Sequence, residues 1–234
     1  MSIILHELAL QGDIRPSPFC WHTRFALEHK KLPYTTAPTP FSGIPHIAGG
    51  WQKTVPVIED TAAGRTVADS WAIAEYLEGA YAGNPSLFGG AQGKAQAVFV
   101  RNWLGAAIRL PMVKMILLDI YKNVQPDDQA YFRTSREQRF GTTLENFAAD
   151  RSEQLAIVRA NLEPLRLTVS EQDYLSGAAP FYADYLVAGY VLWWRAVSPV
   201  CLFADDDPLT AWFTRVMALY PRIGRESARA WDGP

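Results

Sequence analysis

The chain has 234 residues, 49% hydrophobic and 20% charged, with a formal net charge of -2. This composition excludes a disordered chain and leaves room for one large domain or two small ones, and the charge balance gives no electrostatic reason to expect nucleic acid or an anionic membrane as partner. No apolar run is long enough to cross a bilayer, Met1-Ser2 leads into a short strand rather than a signal peptide, and Cys20 and Cys201 lie too far apart for metal-ligand spacing, their scarcity suiting a reducing cytosol.

Ile3-Ile4-Leu5 and Leu8 predict a first strand, and Gln11 to Pro16 a loop. Ser17 then stands as a helix N-cap, with Pro18 at the first helical position, where a missing N–H costs nothing. Phe19, Cys20, Thr23, Ala26 and Leu27 recur at helical spacing. Lys30 and Lys31 follow where the helix dipole favours cations, and Leu32-Pro33 ends the helix. A strand feeding such a helix start offers free N–H groups and a hydroxyl to an anion. If that anion is a thiolate, the same field lowers its pKa and keeps it nucleophilic. Taken alone, the stretch also reads as an ordinary capped amphipathic helix.

Tyr34-Thr35-Thr36 predicts a second strand, and the proline- and glycine-rich run from Ala37 to Gly50 an irregular surface excursion. Lys53 to Glu59 is β-branched and apolar but contains Pro56, which confines it to a strand start, an edge or a special turn. A cis Val55–Pro56 bond would leave the Val55 backbone free to pair with a ligand. Asp60 to Gly64 predicts a turn and Arg65 to Ala68 the returning strand. Asp69-Ser70 opens a helix with Ala72, Ile73, Tyr76 and Leu77 on its apolar face, a second capped helix start suited to an anionic group. The order β-α-β, loop, β-β-α is that of a thioredoxin-like domain ending near Tyr81.

Ala82 to Gly90 reads as a linker, and beyond it the pattern is wholly helical. A long helix is predicted from about Gln92 to Leu118, kinked at Pro111, with a stripe of Ala95, Phe99, Asn102, Trp103, Ala106 and Leu110. Phe99 and Trp103, one turn apart, read as core, the alternative being the wall of an acceptor pocket. Arg101 and Arg109 read as solvated, the alternative being that one of them faces the cleft. Asp127 to Phe140 is polar and weakly periodic, with Gly141 as its stop. Leu144, Phe147, Leu155, Val158, Leu162, Leu165 and Val169 support one or two further helices. Pro180 opens a strongly apolar helix through Trp193 and Trp194, with Asp184 in its first turn. The run Asp205 to Pro208 starts the next, which carries Leu209, Trp212, Phe213, Val216 and Leu219 and ends at Tyr220-Pro221.

Four local features, in order and at these separations, resemble the cytosolic glutathione transferases over essentially the whole chain. Ser17-Pro18-Phe19-Cys20 is similar to the family's active-site motif with serine in the catalytic position, and Val55-Pro56-Val57-Ile58 to the strand that pairs with the glutathione backbone. Asp69-Ser70 is similar to the pair that binds the γ-glutamyl end, and Ala183-Asp184-Tyr185 to the helix start of the second domain. The resemblance implies an α/β plus all-α architecture. In it, residues 1–82 form a thioredoxin-like glutathione-binding domain, 83–91 a linker, and 92–234 an all-helical glutathione-transferase C-terminal domain that takes the acceptor substrate. It implies Ser17 as the catalytic hydroxyl, Lys53, Val55, Asp69 and Ser70 as glutathione-binding positions, no metal, and a cytoplasmic homodimer. Val55 would contribute main-chain atoms only. Lys53 would meet the glycine carboxylate, the alternative being a solvated surface lysine.

Two departures follow from the same comparison. Phe181 stands where a Ser, Thr or Asn cap is usual, so that cap hydrogen bond is absent. Cys20 sits in the fourth motif position behind a serine, which disfavours dithiol chemistry and leaves it a small buried apolar residue. Ser17 to Leu27, Phe41-Ser42-Gly43-Ile44, Asp69 to Leu77, and Ser135-Arg136-Glu137 with Leu144-Glu145 resemble bacterial β-etherases and fungal etherase-related transferases. The implied activity is transfer of the glutathione thiolate to an aromatic electrophile, with β-aryl ether cleavage as a special form. The alternative is a carrier of hydrophobic ligands, against which the intact Ser17 and Asp69-Ser70 speak. The implied partners are glutathione and a hydrophobic aromatic molecule, without nucleic acid or membrane.

Overall fold

The computed structural model describes residues 3–50 and 52–227. Ile3–Leu8 (β1), Tyr34–Thr39 (β2), Val57–Asp60 (β3) and Arg65–Ala68 (β4) form one four-stranded sheet in the order β2-β1-β3-β4. β1 and β2 run parallel, so the chain must cross over between them, and Pro18–His29 (α1) is that crossover. β3 and β4 close the sheet as an antiparallel hairpin, with Asp60 Oδ1 accepting the N–H groups of Ala62 (3.1 Å) and Ala63 (3.2 Å) to fix the turn. β2 continues through Pro38 to Thr39, which an edge strand tolerates. The run read as irregular then coils into 3-10 turns over Phe41–Gly49 and buries Phe41, Ile44 and Ile47. It is therefore more ordered than its composition suggests.

The amphipathic reading of α1 is corrected. Trp21, Phe25, Ala26 and Leu27 are all buried, because the helix lies between the sheet and Tyr182–Val197 (α9) and has no solvent face over its middle turns. Phe19, placed on the apolar stripe, is 37% exposed. The two helices approach at Gly189, where a Cβ would fall 2.3 Å from the His22 ring and 2.9 Å from the Pro18 carbonyl oxygen. The polar residues of α1 turn inward to partners. Arg24 donates from Nε to Glu7 Oε2 (2.7 Å) and pairs with Glu226 near the far end of the chain. Lys30 does not face solvent at the helix end. It is fully buried because the linker folds across it, and Nζ donates to Glu78 (3.0 Å) and to the Pro85 carbonyl (3.1 Å).

His22 Nε2 lies 2.9 Å from the Leu186 carbonyl, so that nitrogen carries the proton. Burial pushes the ring's pKa from 6.5 down to about 4. Between those values the unfolded chain binds a proton that the folded chain refuses. Stability is therefore complete above the unfolded value and falls as pH drops through this window, by about 3 kcal/mol for this group. Urea denaturation at about pH 7 and about pH 4.5 should show that fall, and a His22→Gln chain should lose that part of the slope.

Ser70–Ala80 (α2) ends the first unit, and Ala91–Trp103 (α3) opens the helical one. The predicted long helix is broken in register: a π turn spans Leu104–Ile108 before Arg109–Asn123 (α4). Pro111 cannot donate to Ala107 four residues back, and the Ala107 carbonyl instead accepts from Asn161 Nδ2 (2.8 Å). The predicted core stripe is also corrected. Ala97, Val100, Leu104 and Ile108 face the core, while Phe99 is 71% and Leu110 54% exposed. Two faces of this helix are apolar, and periodicity alone does not choose between them.

Pro126–Phe140 (α5) stops at Gly141, whose φ is 68°. Leu144–Phe147 (α6), Arg151–Asn161 (α7) and Glu163–Glu171 (α8) are three helices where one or two are predicted. α9 is the axis of the second unit and is buried along nearly its whole length. Its start is held by Asp184, whose carboxylate accepts from the N–H groups of Leu175 (2.7 Å), Ser176 (3.2 Å) and Phe181 (3.2 Å) and from Trp212 Nε1 (3.0 Å). Phe181 supplies no side-chain acceptor in return. Pro208–Leu219 (α10) is capped by Asp207, which accepts from Leu209 N (3.0 Å), and Pro221–Glu226 (α11) follows. Leu219, placed on the apolar stripe of α10, is 50% exposed. Residues 228–234, assigned from the sequence to the helical domain, lie outside the described residues.

Candidate functional site

Ser17 caps α1 from an extended backbone, and its Oγ accepts from Cys20 N at 3.3 Å. That bond occupies a lone pair and leaves the hydroxyl proton able to point elsewhere. Ser17 lies on the seam of two adjoining cavities. The more polar one, about 610 Å³, is lined by Ser17, Gln52, Lys53, Val55, Arg136 and Arg139 beside Leu8, Phe41 and Ile44. The other, about 450 Å³, is walled by Phe19, Phe41, Phe132, Phe140 and Trp193. A third cavity, about 220 Å³, holds Asp69, Ser70, Trp71, Arg101 and Arg109 and shares Phe19 and Arg109 with the second.

The structure thus brings Ser17, Lys53 and Val55 to one cavity and puts Asp69 and Ser70 in a neighbouring one. The two groups are tied at the Val55–Pro56 corner, where the peptide is cis and Asp69 N donates to the Pro56 carbonyl (3.2 Å). Asp69 has a φ of 76°, unusual for a residue with a side chain, and its Oδ1 accepts from Trp71 N (2.9 Å) and Ala72 N (3.0 Å). It is a helix cap in its own right. Ser70 is buried, with its carbonyl accepting from Tyr182 OH (3.0 Å) across to α9. Lys53 is exposed at the rim. Cys20 is buried, and burial pushes its thiol up to about 12, so it is no nucleophile.

Several lining residues escape the sequence reading. Gln52 is 4% exposed, and its Nε2 has no hydrogen-bond partner among the described residues. Arg136 and Arg139 sit one turn apart on α5, a spacing that signals a shared face but not where that face points. Arg136 lies over the rings of Phe41 (5.3 Å) and Phe132 (4.7 Å). Arg101 and Arg109 both line the third cavity, Arg101 stacking over Trp71 at 4.1 Å while Arg109 stays exposed as read from the sequence. Phe99 and Trp103 line none of the three cavities. Among the described residues no group of three or more His, Cys, Asp or Glu is placed to hold a metal ion, and no helix is long and apolar enough to cross a membrane.

The three cavities lie between two units that match known families. Residues 16–80 match a family model described as glutathione S-transferase, N-terminal domain, and residues 95–200 one described as glutathione S-transferase, C-terminal domain. Among solved structures, a glutathione S-transferase of Ceriporiopsis subvermispora in complex with glutathione is 23% identical, with a TM-score of 0.78, over 94% of this chain and 96% of that one. A glutathione transferase of Phanerochaete chrysosporium is 24% identical, with a TM-score of 0.75, over 98% and 96%. At those identities the likeness is one of fold: a thioredoxin-like unit followed by the helical unit of that family. With one matched domain on each side of the Ser17 cleft, the chain belongs to the glutathione S-transferase superfamily.

Proposed function

We propose that the protein transfers the thiolate of glutathione to an aromatic electrophile. The observation that carries this reading is the position of Ser17, a helix-capping hydroxyl where a polar cavity meets an aromatic one. In this reading the tripeptide runs from the polar cavity past the Val55–Pro56 corner to the start of α2. The backbone of Val55 aligns it, the start of α2 at Asp69 and Ser70 takes its γ-glutamyl end, and Lys53 with Gln52 takes its glycine end. The glutathione named with the Ceriporiopsis relative supports this choice of substrate.

Ser17 donates to the sulfur, and the positive end of the α1 dipole favours the thiolate. The thiol proton leaves to solvent. The sulfur then forms a bond to the electrophilic carbon while the leaving group departs with its electron pair. For a β-aryl ether the carbon lies next to a carbonyl and the leaving group is a phenolate. That step needs orientation and a desolvated sulfur rather than a strong acid. The reading divides the chain into a glutathione half and an acceptor half at residues 83–91. Both described cysteines are free thiols, which suits a reducing, cytoplasmic setting.

The test is glutathione binding by thermal shift, followed by turnover of a chloronitrobenzene and of a β-aryl ether ketone. Stabilisation by glutathione and turnover of the first substrate are expected, with phenol release from the second. Turnover of the first alone removes the etherase form. Binding without any turnover leaves the ligand carrier. A homodimer belongs to the same reading, and the exposed Phe99 face of α3 is the surface it would cover. Light scattering should give twice the chain mass, and a Phe99→Lys chain should give the monomer.

A further inference from the structure

Leu8, Ser17, Phe41, Arg136 and Arg139 line both the polar and the aromatic cavity, so they mark the seam between the two. Of the two arginines Arg139 is exposed and Arg136 half-buried. The Arg136 guanidinium lies over the rings of Phe41 (5.3 Å) and Phe132 (4.7 Å), and its Nη1 donates to Ser135 Oγ (3.0 Å). α5 is held against the first unit there, with Asp128 Oδ1 accepting from Ser42 N (3.0 Å). The carboxylates near Arg136 in the chain are engaged elsewhere. Glu137 Oε1 accepts from Arg133 Nη1 (2.8 Å) and Leu144 N (3.2 Å), and Glu145 Oε1 accepts from Arg133 Nη2 (2.8 Å). Neither cavity lining includes a carboxylate. Arg136 forms no ion pair among the described residues, and burial holds its pKa below the usual arginine value. A cation held partly out of water without a counter-charge favours an anion brought to its side.

We propose that Arg136 is a second catalytic residue, which reaches the glutathione sulfur from the helical unit and holds it as a thiolate together with Ser17. This role rests on the transferase reading and gives the helical half a part in the chemistry. The S–H bond breaks, its proton goes to solvent and the electron pair stays on sulfur, where a guanidinium N–H and the Ser17 hydroxyl both donate to it. The tripeptide's carboxylates have other places in that reading, at Lys53 with Gln52 and at the start of α2. The sulfur is the anion left for the seam, and the seam is what Arg136 shares with Ser17. The other charged or titratable groups on the two linings, Arg109, Arg139, Lys53 and Tyr131, are exposed and screened by water.

The test compares wild type, Arg136→Met and Arg136→Lys. The thiol pKa of bound glutathione is read by ultraviolet absorbance, and the affinities of glutathione and S-methylglutathione by calorimetry. Methionine keeps an apolar stem against Phe41 and Phe132 and removes the charge. It should raise the bound thiol's pKa by about one unit, with turnover of a chloronitrobenzene at neutral pH falling about tenfold. Affinity for S-methylglutathione, whose sulfur carries no charge, should stay within about twofold and shows that the variant is folded. Arg136→Gln repeats the reading should the methionine chain not fold. Lysine should recover a large part of the shift. An unchanged thiol pKa without the charge overturns the proposal. So does equal weakening of both ligands in a folded variant, because Arg136 would then hold a carboxylate of the tripeptide. A lysine variant no better than methionine overturns it too, because charge would not be the cause. A wild-type chain that leaves the bound thiol at its solution pKa removes the transferase reading and this role with it. A lowered wild-type value that survives Arg136→Met removes this role alone.

Discussion

Replacing Ser17 by alanine is expected to lower turnover about a hundredfold while changing glutathione affinity by less than about threefold. The hydroxyl's contact is with the sulfur, and its value is greatest when the sulfur carries charge. The tripeptide's other anchors, proposed at Val55, Asp69, Ser70 and Lys53, are untouched by the change. The substitution also removes the N-cap bond to Cys20 N, which should cost about 1 kcal/mol of stability. Steady-state kinetics with a chloronitrobenzene, beside calorimetric titration of glutathione, separates the two effects. Equal loss in affinity and turnover would reduce Ser17 to a cap.

Replacing Arg24 by alanine should destabilise the fold by about 3–5 kcal/mol, the usual consequence of leaving a buried charge without its main partner. Glu7 on β1 is fully buried, and Arg24 reaches its Oε2 from Nε at 2.7 Å. What would remain for Glu7 is Arg15, 3.4 Å away. Arg24 also lies over the Trp21 ring at 5.0 Å and ties Glu226, at the end of α11, to the first unit. The loss therefore joins a carboxylate without its main partner, a cavity and a loosened helix. Urea denaturation at neutral pH measures it. Pairing Arg24→Met with Glu7→Leu should recover part of the stability, because the buried Glu7 charge goes with its main partner and Arg15 keeps Asp13.

The parts of this fold that the sequence discloses are those decided within a few residues. Ser17-Pro18, Asp207-Pro208 and Gly141 mark helix ends because capping and left-handed stops act over one turn. The Val55–Pro56 corner and the β3–β4 hairpin are legible for the same reason. What the sequence hides is decided far along the chain. The burial of α1 on all sides depends on α9: His22 meets Leu186 across 164 positions. Lys30 is buried under a segment whose composition marks it only as a linker. Ser17 and Asp69-Ser70 carry a local capping signal, whereas Gln52, Arg109 and Arg139 carry none, and only the packing of α4 and α5 beside the first unit brings the two arginines to the cleft.

In the proposed reaction the start of α1 holds the glutathione sulfur as a thiolate. That is tested most directly by titrating bound glutathione through the ultraviolet absorbance of the thiolate, in the wild-type chain and in Ser17→Ala. The bound thiol should have a pKa about one unit or more below that of free glutathione, with a return toward the free value when the hydroxyl is removed. Glutathione that binds with the pKa it has in solution, or that does not bind to the folded protein at all, would contradict it.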